Sequence, residues 1–213
     1  MVADSVNYTI LCTLDEDDSS MNSPEIINRV NKFPNTIVKW GSSKSKIDAI
    51  NRDIEIEDKW DILVCMSDDM RFVAYGFDSL IREAFINRAP NLLGYMHFPD
   101  TTAKNALCTM TIIGKAYYIL DGYIYNPCYL SLFADNEGME VAMMRNMYYY
   151  IDIPILDHLH PAYGLSDWDE QYRQQQSLWT VDETTYNQRK SNNFFINAAT
   201  TIDPYSDSDI AQV

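Results

Sequence analysis

Residues 60–70 read WDILVCMSDDM, a run from Trp60 to Met66, apolar but for Asp61, that stops at Ser67, Asp68 and Asp69. A short apolar run of this kind is a strand signal, and the acid marks the point where the strand leaves the core. The same sentence is written earlier in the chain: YTILCTL, residues 8–14, predicts a buried strand and stops at Asp15, Glu16, Asp17 and Asp18. Between the two, Ser23-Pro24-Glu25 supplies a cap, a first-turn proline and a first-turn acid ahead of Ile26, Ile27, Val30 and Phe33, so a helix is expected to about Phe33. Pro34 and Asn35 break it, TIVKW (residues 36–40) alternates as a short strand, and Ile47, Ile50 and Ile54 mark a second helix.

Downstream of the quoted stretch, Phe77, Leu80, Ile81, Ala84 and Phe85 recur with helical period after Gly76, and NLLGYM (residues 91–96) follows Pro90 as a further strand. Strand and helix thus alternate three times. Such alternation predicts an α/β fold with a mostly parallel central sheet and flanking helices, in which ligands bind beyond the carboxyl ends of the strands. Both acidic clusters fall at such ends, on strands expected to be neighbours. Beyond residue 105, residues 109–113 and 122–125 read as strands and residues 137–150 as a Met- and Tyr-rich helix with a core stripe of Val141, Met144, Met147 and Tyr148. Residues 151–160 (IDIPILDHLH) predict a late strand that delivers His158 and His160 to a loop. The polar, glutamine-rich residues 168–179 and 182–189 predict helices with little apolar surface. The organisation expected is therefore one domain over 1–165 and a peripheral helical C-terminal extension over 166–213, frayed over its last dozen residues.

With 213 residues, of which 46% are hydrophobic and 22% charged, the chain has material for one packed core. Its 31 acidic against 16 basic residues give a net charge of -15, which lacks the electrostatic footprint for nucleic acid or anionic lipid. Any phosphate ligand would need positive charge from elsewhere. No secretory signal or apolar run of membrane-spanning length is seen, and Cys12, Cys65, Cys108 and Cys128 form no C-x-x-C pair. These features predict a soluble, cytoplasmic protein with reduced cysteines.

Two carboxylate clusters on adjacent strand ends repel each other, and a divalent ion is the simplest compensation. Mg2+ or Mn2+ would take one or two carboxylates and complete its shell with substrate phosphates. The alternative is that Asp15 to Asp18 form a solvated turn and Asp68-Asp69 cap a helix. An EF-hand starting at Asp15 fails, because Ser20 stands where glycine is needed and Ile26 where glutamate is needed.

The order LDEDD, helix, short strand, KIDAINR (residues 46–52), then WDILVCMSDDM resembles the GT-A glycosyltransferases, particularly family 2, over residues 8–165. The resemblance implies a single Rossmann-like domain that binds a nucleoside-diphosphate sugar donor. By it, Asp15 with Asp17 would face the nucleobase, and Lys46 and Asn51, on a K-x-x-A-x-N helix, the nucleotide. Ser67-Asp68-Asp69 stands in place of the D-x-D triplet, with Asp69 on Mn2+ or Mg2+ and Asp68 in support. Phe133 to Glu137 resembles the acceptor-side region, with Asp135 as catalytic base and Glu137 second. His158 or His160 would join the metal. Two departures are visible: serine at the first D-x-D position, and only seven residues ahead of Tyr8, where family members usually open with a further strand and helix.

The activity implied is an inverting, metal-dependent transfer of a sugar to a glycan, protein or small-molecule acceptor. A sugar hydroxyl needs a carboxylate to take its proton, and the metal stabilises the departing diphosphate. A metal-dependent phosphoesterase or nuclease, and a non-catalytic nucleotide-sugar-binding module, are the competing readings. Asp135 also reads as the N-cap of the following helix. His97 reads as structural or acceptor-facing, and Tyr163, Trp168 and Tyr172 as candidates to stack on a sugar ring.

Overall fold

The computed structural model describes residues 7–55 and 59–196; the expected fraying of the last dozen residues lies outside these. The first stretch is β1 (Ile10–Asp15), α1 (Pro24–Val30), β2 (Thr36–Gly41) and α2 (Lys46–Arg52). Its helices start where side chains can satisfy their first N–H groups: the Ser23 hydroxyl accepts from Ile26 N and the Ser45 hydroxyl from Asp48 N. β1 and β2 pair in parallel, Ile10 opposite Thr36 through to Asp15 opposite Gly41. This unit is thin. Strand β1 is half-buried at best, α1 buries no residue, and Phe33, at the end of the expected apolar face, is 61% exposed. The buried strand expected at residues 8–14 is therefore a partly solvated one, because among the described residues β2 is the only strand it pairs with.

The dense part of the molecule follows: β3 (Ile62–Val64), β4 (Met70–Phe72), α3 (Phe77–Arg88), β5 (Tyr95–His97), β6 (Ile112–Gly114), α4 (Lys115–Asp121), α5 (Ala134–Met144), β7 (Tyr148–Tyr150) and β8 (Leu156–His158). A four-stranded sheet runs in the order β3-β6-β5-β7, with β5 and β7 parallel and β6 antiparallel to both of its neighbours. A separate antiparallel ribbon pairs β4 with β8. The fold is α/β, but its sheets are small and mixed, in place of the single mostly parallel sheet expected. The reason lies in residues 98–111, which join β5 to β6 without a helix; a parallel return would need a longer crossover, usually helical.

Two further expectations change. Residues 122–125 are not a strand: α4 occupies the preceding turn, and Gly122 closes it in the left-handed conformation at φ 73°. The helix expected over 137–150 starts at Ala134 and ends at Met144; Asn146 takes φ 57° and Tyr148–Tyr150 become β7, as suits three aromatic residues beside a sheet edge. Tyr95, Met96, Ile112, Ile113, Tyr129 and Met147 are fully buried around the four-stranded sheet. At the β6–α4 junction the backbone passes so close to Leu92 that a Cβ on Gly114 would lie 2.1 Å from its carbonyl oxygen.

The C-terminal part is a 3-10 turn (Pro161–Tyr163), then α6 (Glu170–Ser177) and α7 (Trp179–Ser191), as the polar helical reading of these residues anticipates. Among the described residues no helix is long and apolar enough to cross a membrane.

Candidate functional site

A cleft of about 470 Å3 opens between several chain segments, four of which bring candidate residues singled out from sequence. Lys46 comes from the first turn of α2, Ser67, Asp68 and Asp69 from the turn after β3, Asp135 from the first turn of α5, and His158 and His160 from the end of β8. The local folding explains the meeting. After β3 the chain still hydrogen-bonds alongside β6, Cys65 N donating to Thr111 O at 2.8 Å, and then turns at residues 67–70 to start β4. The antiparallel register of β4 and β8 sets Met70 opposite His158, and Leu159 N donates to Asp69 O at 2.8 Å, so His158 arrives beside Asp69.

Asp69 is the most heavily coordinated group there. Its Oδ2 accepts from His158 Nε2 at 3.0 Å and from the Tyr172 hydroxyl at 2.6 Å, and the Ser67 hydroxyl donates to Oδ1. Burial alone would raise the Asp69 carboxyl, but the hydrogen bonds from His158, Ser67 and Tyr172 outweigh it and hold it well below the usual carboxylate range. Burial would likewise lower His158, yet Asp100 and Asp69 on either side of the ring push it up to about 9, so the ring is an imidazolium at neutral pH. Its Nδ1 is buried without a hydrogen-bond partner, 3.8 Å from Asp100 Oδ2.

Asp69 and His158 are the residues of the cleft that could hold a divalent cation, but they are hydrogen-bonded to each other at 3.0 Å, so His158 would have to give up its proton to do so. A closed site of three or more His, Cys, Asp or Glu side chains is not formed among the described residues.

His160 is built for something else. Its Nδ1 accepts from Ala162 N at 3.1 Å, and burial together with the neighbouring His158 charge lowers its pKa, so the ring is neutral with its proton on Nε2. In that tautomer it donates a hydrogen bond and offers no lone pair to a metal. Its ring lies among Tyr172, Tyr163 and Trp168, with centroids 5.0 to 6.3 Å away.

Asp135 is the second residue of α5 and not its N-cap, a position taken by Phe133 in the left-handed conformation at φ 62°. The Asp135 carboxylate accepts from Asn136 N at 2.9 Å. Burial raises its pKa, against the smaller opposing effects of this backbone contact and of Lys46. A carboxylate raised in this way is a better proton acceptor than an ordinary one.

Four of the residues singled out from sequence lie elsewhere. Asp15 is held at the end of β1 by Ser43 Oγ at 2.6 Å and Arg52 Nη1 at 2.9 Å, and Asp17 is exposed beyond it. Asn51 donates to Tyr125 O at 2.7 Å and accepts from Ile124 N at 2.9 Å, pinning the turn after α4. Glu137 is 3% exposed and faces Arg189, at 2.7 and 2.8 Å, and the Tyr129 hydroxyl at 2.6 Å. None of the four lines the cleft. Since β1 and β3 share no ladder among the described residues, the two acidic clusters are not neighbours on one sheet edge.

Asp100 is the residue that sequence reasoning missed. It accepts from Thr102 N at 2.7 Å, from Ala103 N, and from the Thr109 hydroxyl at 2.7 Å while standing behind His158. The stretch PDTT carries an Asx-turn signal, which could have identified the turn though not the histidine. Compared with protein-family models, with curated proteins and with solved structures, the chain matches none.

Proposed function

We propose that this chain is a metal-dependent glycosyltransferase that moves a sugar from a nucleoside-diphosphate donor to a hydroxyl-bearing acceptor, with Asp135 as the base. One observation carries the reading. Lys46, Asp68, Asp69, Asp135 and His158, taken from four separate segments on the strength of motif order, line a single cleft. Its volume suits one small-molecule ligand.

Lys46 is exposed at the wall of the cleft, where it supplies charge to a donor phosphate. Asp69 and His158 would hold Mn2+ or Mg2+, which when bound supplies positive charge to the leaving diphosphate. That charge is needed: Asp68, Asp69, Asp167 and Asp169 all line the cleft and would otherwise repel the donor. His160 donates from Nε2 to a donor or acceptor oxygen. Asp135, with its raised proton affinity, takes the acceptor hydroxyl's proton as the new C–O bond forms.

The reading is tested by calorimetry with UDP-, GDP- and dTDP-sugars, with and without Mn2+. Binding of at least one donor that requires Mn2+ is expected. Asp135→Asn should then leave donor Kd within about threefold while turnover falls at least about a hundredfold. Absence of donor binding under both conditions, or near-normal turnover by the variant, overturns it. A second reading, a nucleotide-sugar-binding module without turnover, is favoured by the full engagement of Asp69 with Ser67, His158 and Tyr172. It predicts binding that is indifferent to Mn2+.

A further inference from the structure

Residues 182–189 read in sequence as a peripheral polar helix, and the structure gives them different company. Asp182, on the first turn of α7, is 0% exposed, and its carboxylate accepts from three successive backbone N–H groups: Leu130 at 2.9 Å, Ser131 at 2.8 Å and Leu132 at 2.8 Å. A carboxylate that far out of water persists only where several donors meet it. The residue after those three is Phe133, a non-glycine at φ 62°, a left-handed conformation that side chains disfavour. Its ring packs against two more residues of α7, Trp179 at 4.8 Å and Tyr186 at 5.4 Å between centroids. Beyond Asp135, the next acid, Glu137, takes a two-pronged contact from Arg189 of the same helix. Helix α7 therefore grips the chain on both sides of Asp135.

We infer that α7 is a positioning clamp, whose Asp182, Trp179, Tyr186 and Arg189 hold the left-handed turn at Phe133 that aims Asp135 into the cleft. The inference rests on Asp135 being the base, and it assigns α7 an action on chemistry through another residue. A purely structural helix would contribute stability and nothing more. The clamp, in contrast, sets how deeply Asp135 is buried, and loosening it admits water to that carboxylate.

The test uses the full chain carrying Asp182→Asn, which keeps shape but removes the charge that gathers the three N–H groups. Carbon-13 NMR of the Asp135 carboxyl is followed against pH beside the melting temperature, and donor Kd and turnover are measured with Mn2+ and the donor that binds. The Asp135 midpoint should fall toward the ordinary carboxyl value by about half a unit or more. Turnover should fall about tenfold or more while donor Kd changes less than about threefold. A lowered melting temperature with the native midpoint and native turnover overturns the clamp. Should Asp182→Asn fail to fold, Trp179→Leu is read in the same way, since Trp179 is 43% exposed and its loss leaves the buried acids paired. If the native chain shows no transfer at all, the glycosyltransferase reading fails, and the Asp135 midpoint in these variants still decides the clamp.

Discussion

Residues 15–18 after β1 and residues 67–69 after β3 carry the same kind of acid at the same kind of place, and they end in different chemistry. Asp15 meets Arg52, 37 positions along the chain, in an ion pair with side chains 36% and 18% exposed. Asp69 meets His158, 89 positions along, with Ser67 and Tyr172 adding hydroxyls at the wall of a cleft. A guanidinium holds its proton at every physiological pH, so Asp15 has a permanent counter-charge. An imidazolium can surrender its proton, so the counter-charge at Asp69 can be exchanged for that of an ion. Acid at a strand end is thus positional information, and the partner that folding brings to it decides whether it is structural or available for chemistry.

The largest effect expected from this contrast belongs to Asp69→Asn. Mn2+-dependent affinity for the donor should fall at least about thirtyfold, since losing even an outer-shell partner of a metal ligand typically costs about 10- to 100-fold. Calorimetry with and without Mn2+ measures it, and an unchanged Mn2+ dependence removes the distinction between the two strand ends. Some stability goes too: a simple strand-end carboxylate could be neutralised freely, but this one is 15% exposed and paired with a charged ring.

The next effect is on pH dependence in the metal-free protein. His158 faces Asp69 and Asp100 with His160 beside it, and its pKa is raised to about 9. A group raised on folding contributes stability that is complete below its unfolded value of about 6.5 and is lost as pH climbs through the folded value. Stability should therefore drop by on the order of 2 kcal/mol between about pH 6.5 and 9, read as a falling melting temperature. Asp69→Asn should flatten that slope. The Asp15 end contributes nothing to it, because Arg52 stays charged throughout the window.

Asp15→Asn sharpens the other side of the comparison. A partly exposed ion pair backed by a serine hydroxyl should account for about 1 kcal/mol of stability, measured by denaturant unfolding. Donor affinity should stay within about twofold, since Asp15 is engaged outside the cleft. A tenfold loss of affinity would instead join the two ends through one ligand, as the resemblance to the glycosyltransferases implies.

Much of this was legible in sequence. The cap at Ser23 and the alternation of strand and helix through residue 52 follow from local pattern. The antiparallel course of β6 does not, because an apolar strand reads the same in either direction. Residues 115–121 (KAYYILD) form α4 without announcing it in sequence, because tyrosine and isoleucine suit a strand equally well. Asp135 ranks ahead of Glu137 as base in sequence by motif match alone, and the helix supplies the physical reason to separate them: two residues along it turn the side chain through about 200°. One faces the cleft and the other Arg189, a partner 52 positions away that no local pattern announces.

The smallest effect expected is that of Asp17→Asn. Asp17 is exposed beyond the end of β1, and among the described residues neither a hydrogen bond nor an ion pair holds its carboxylate. An exposed substitution away from caps, cores and paired charges changes stability by no more than about 0.5 kcal/mol. Removing one of 31 acids from a chain of net charge -15 also changes its long-range field little at ordinary salt. Both unfolding free energy and donor affinity should consequently match the native protein. The variant is informative as a control: a stability loss at Asp15 with none at Asp17 ties the effect to the paired, half-buried position beside Arg52 and Ser43 and not to acid near the strand end as such. A fall in donor affinity for Asp17→Asn, with stability unchanged, would extend the ligand site from the cleft to β1 and end the division between the two clusters.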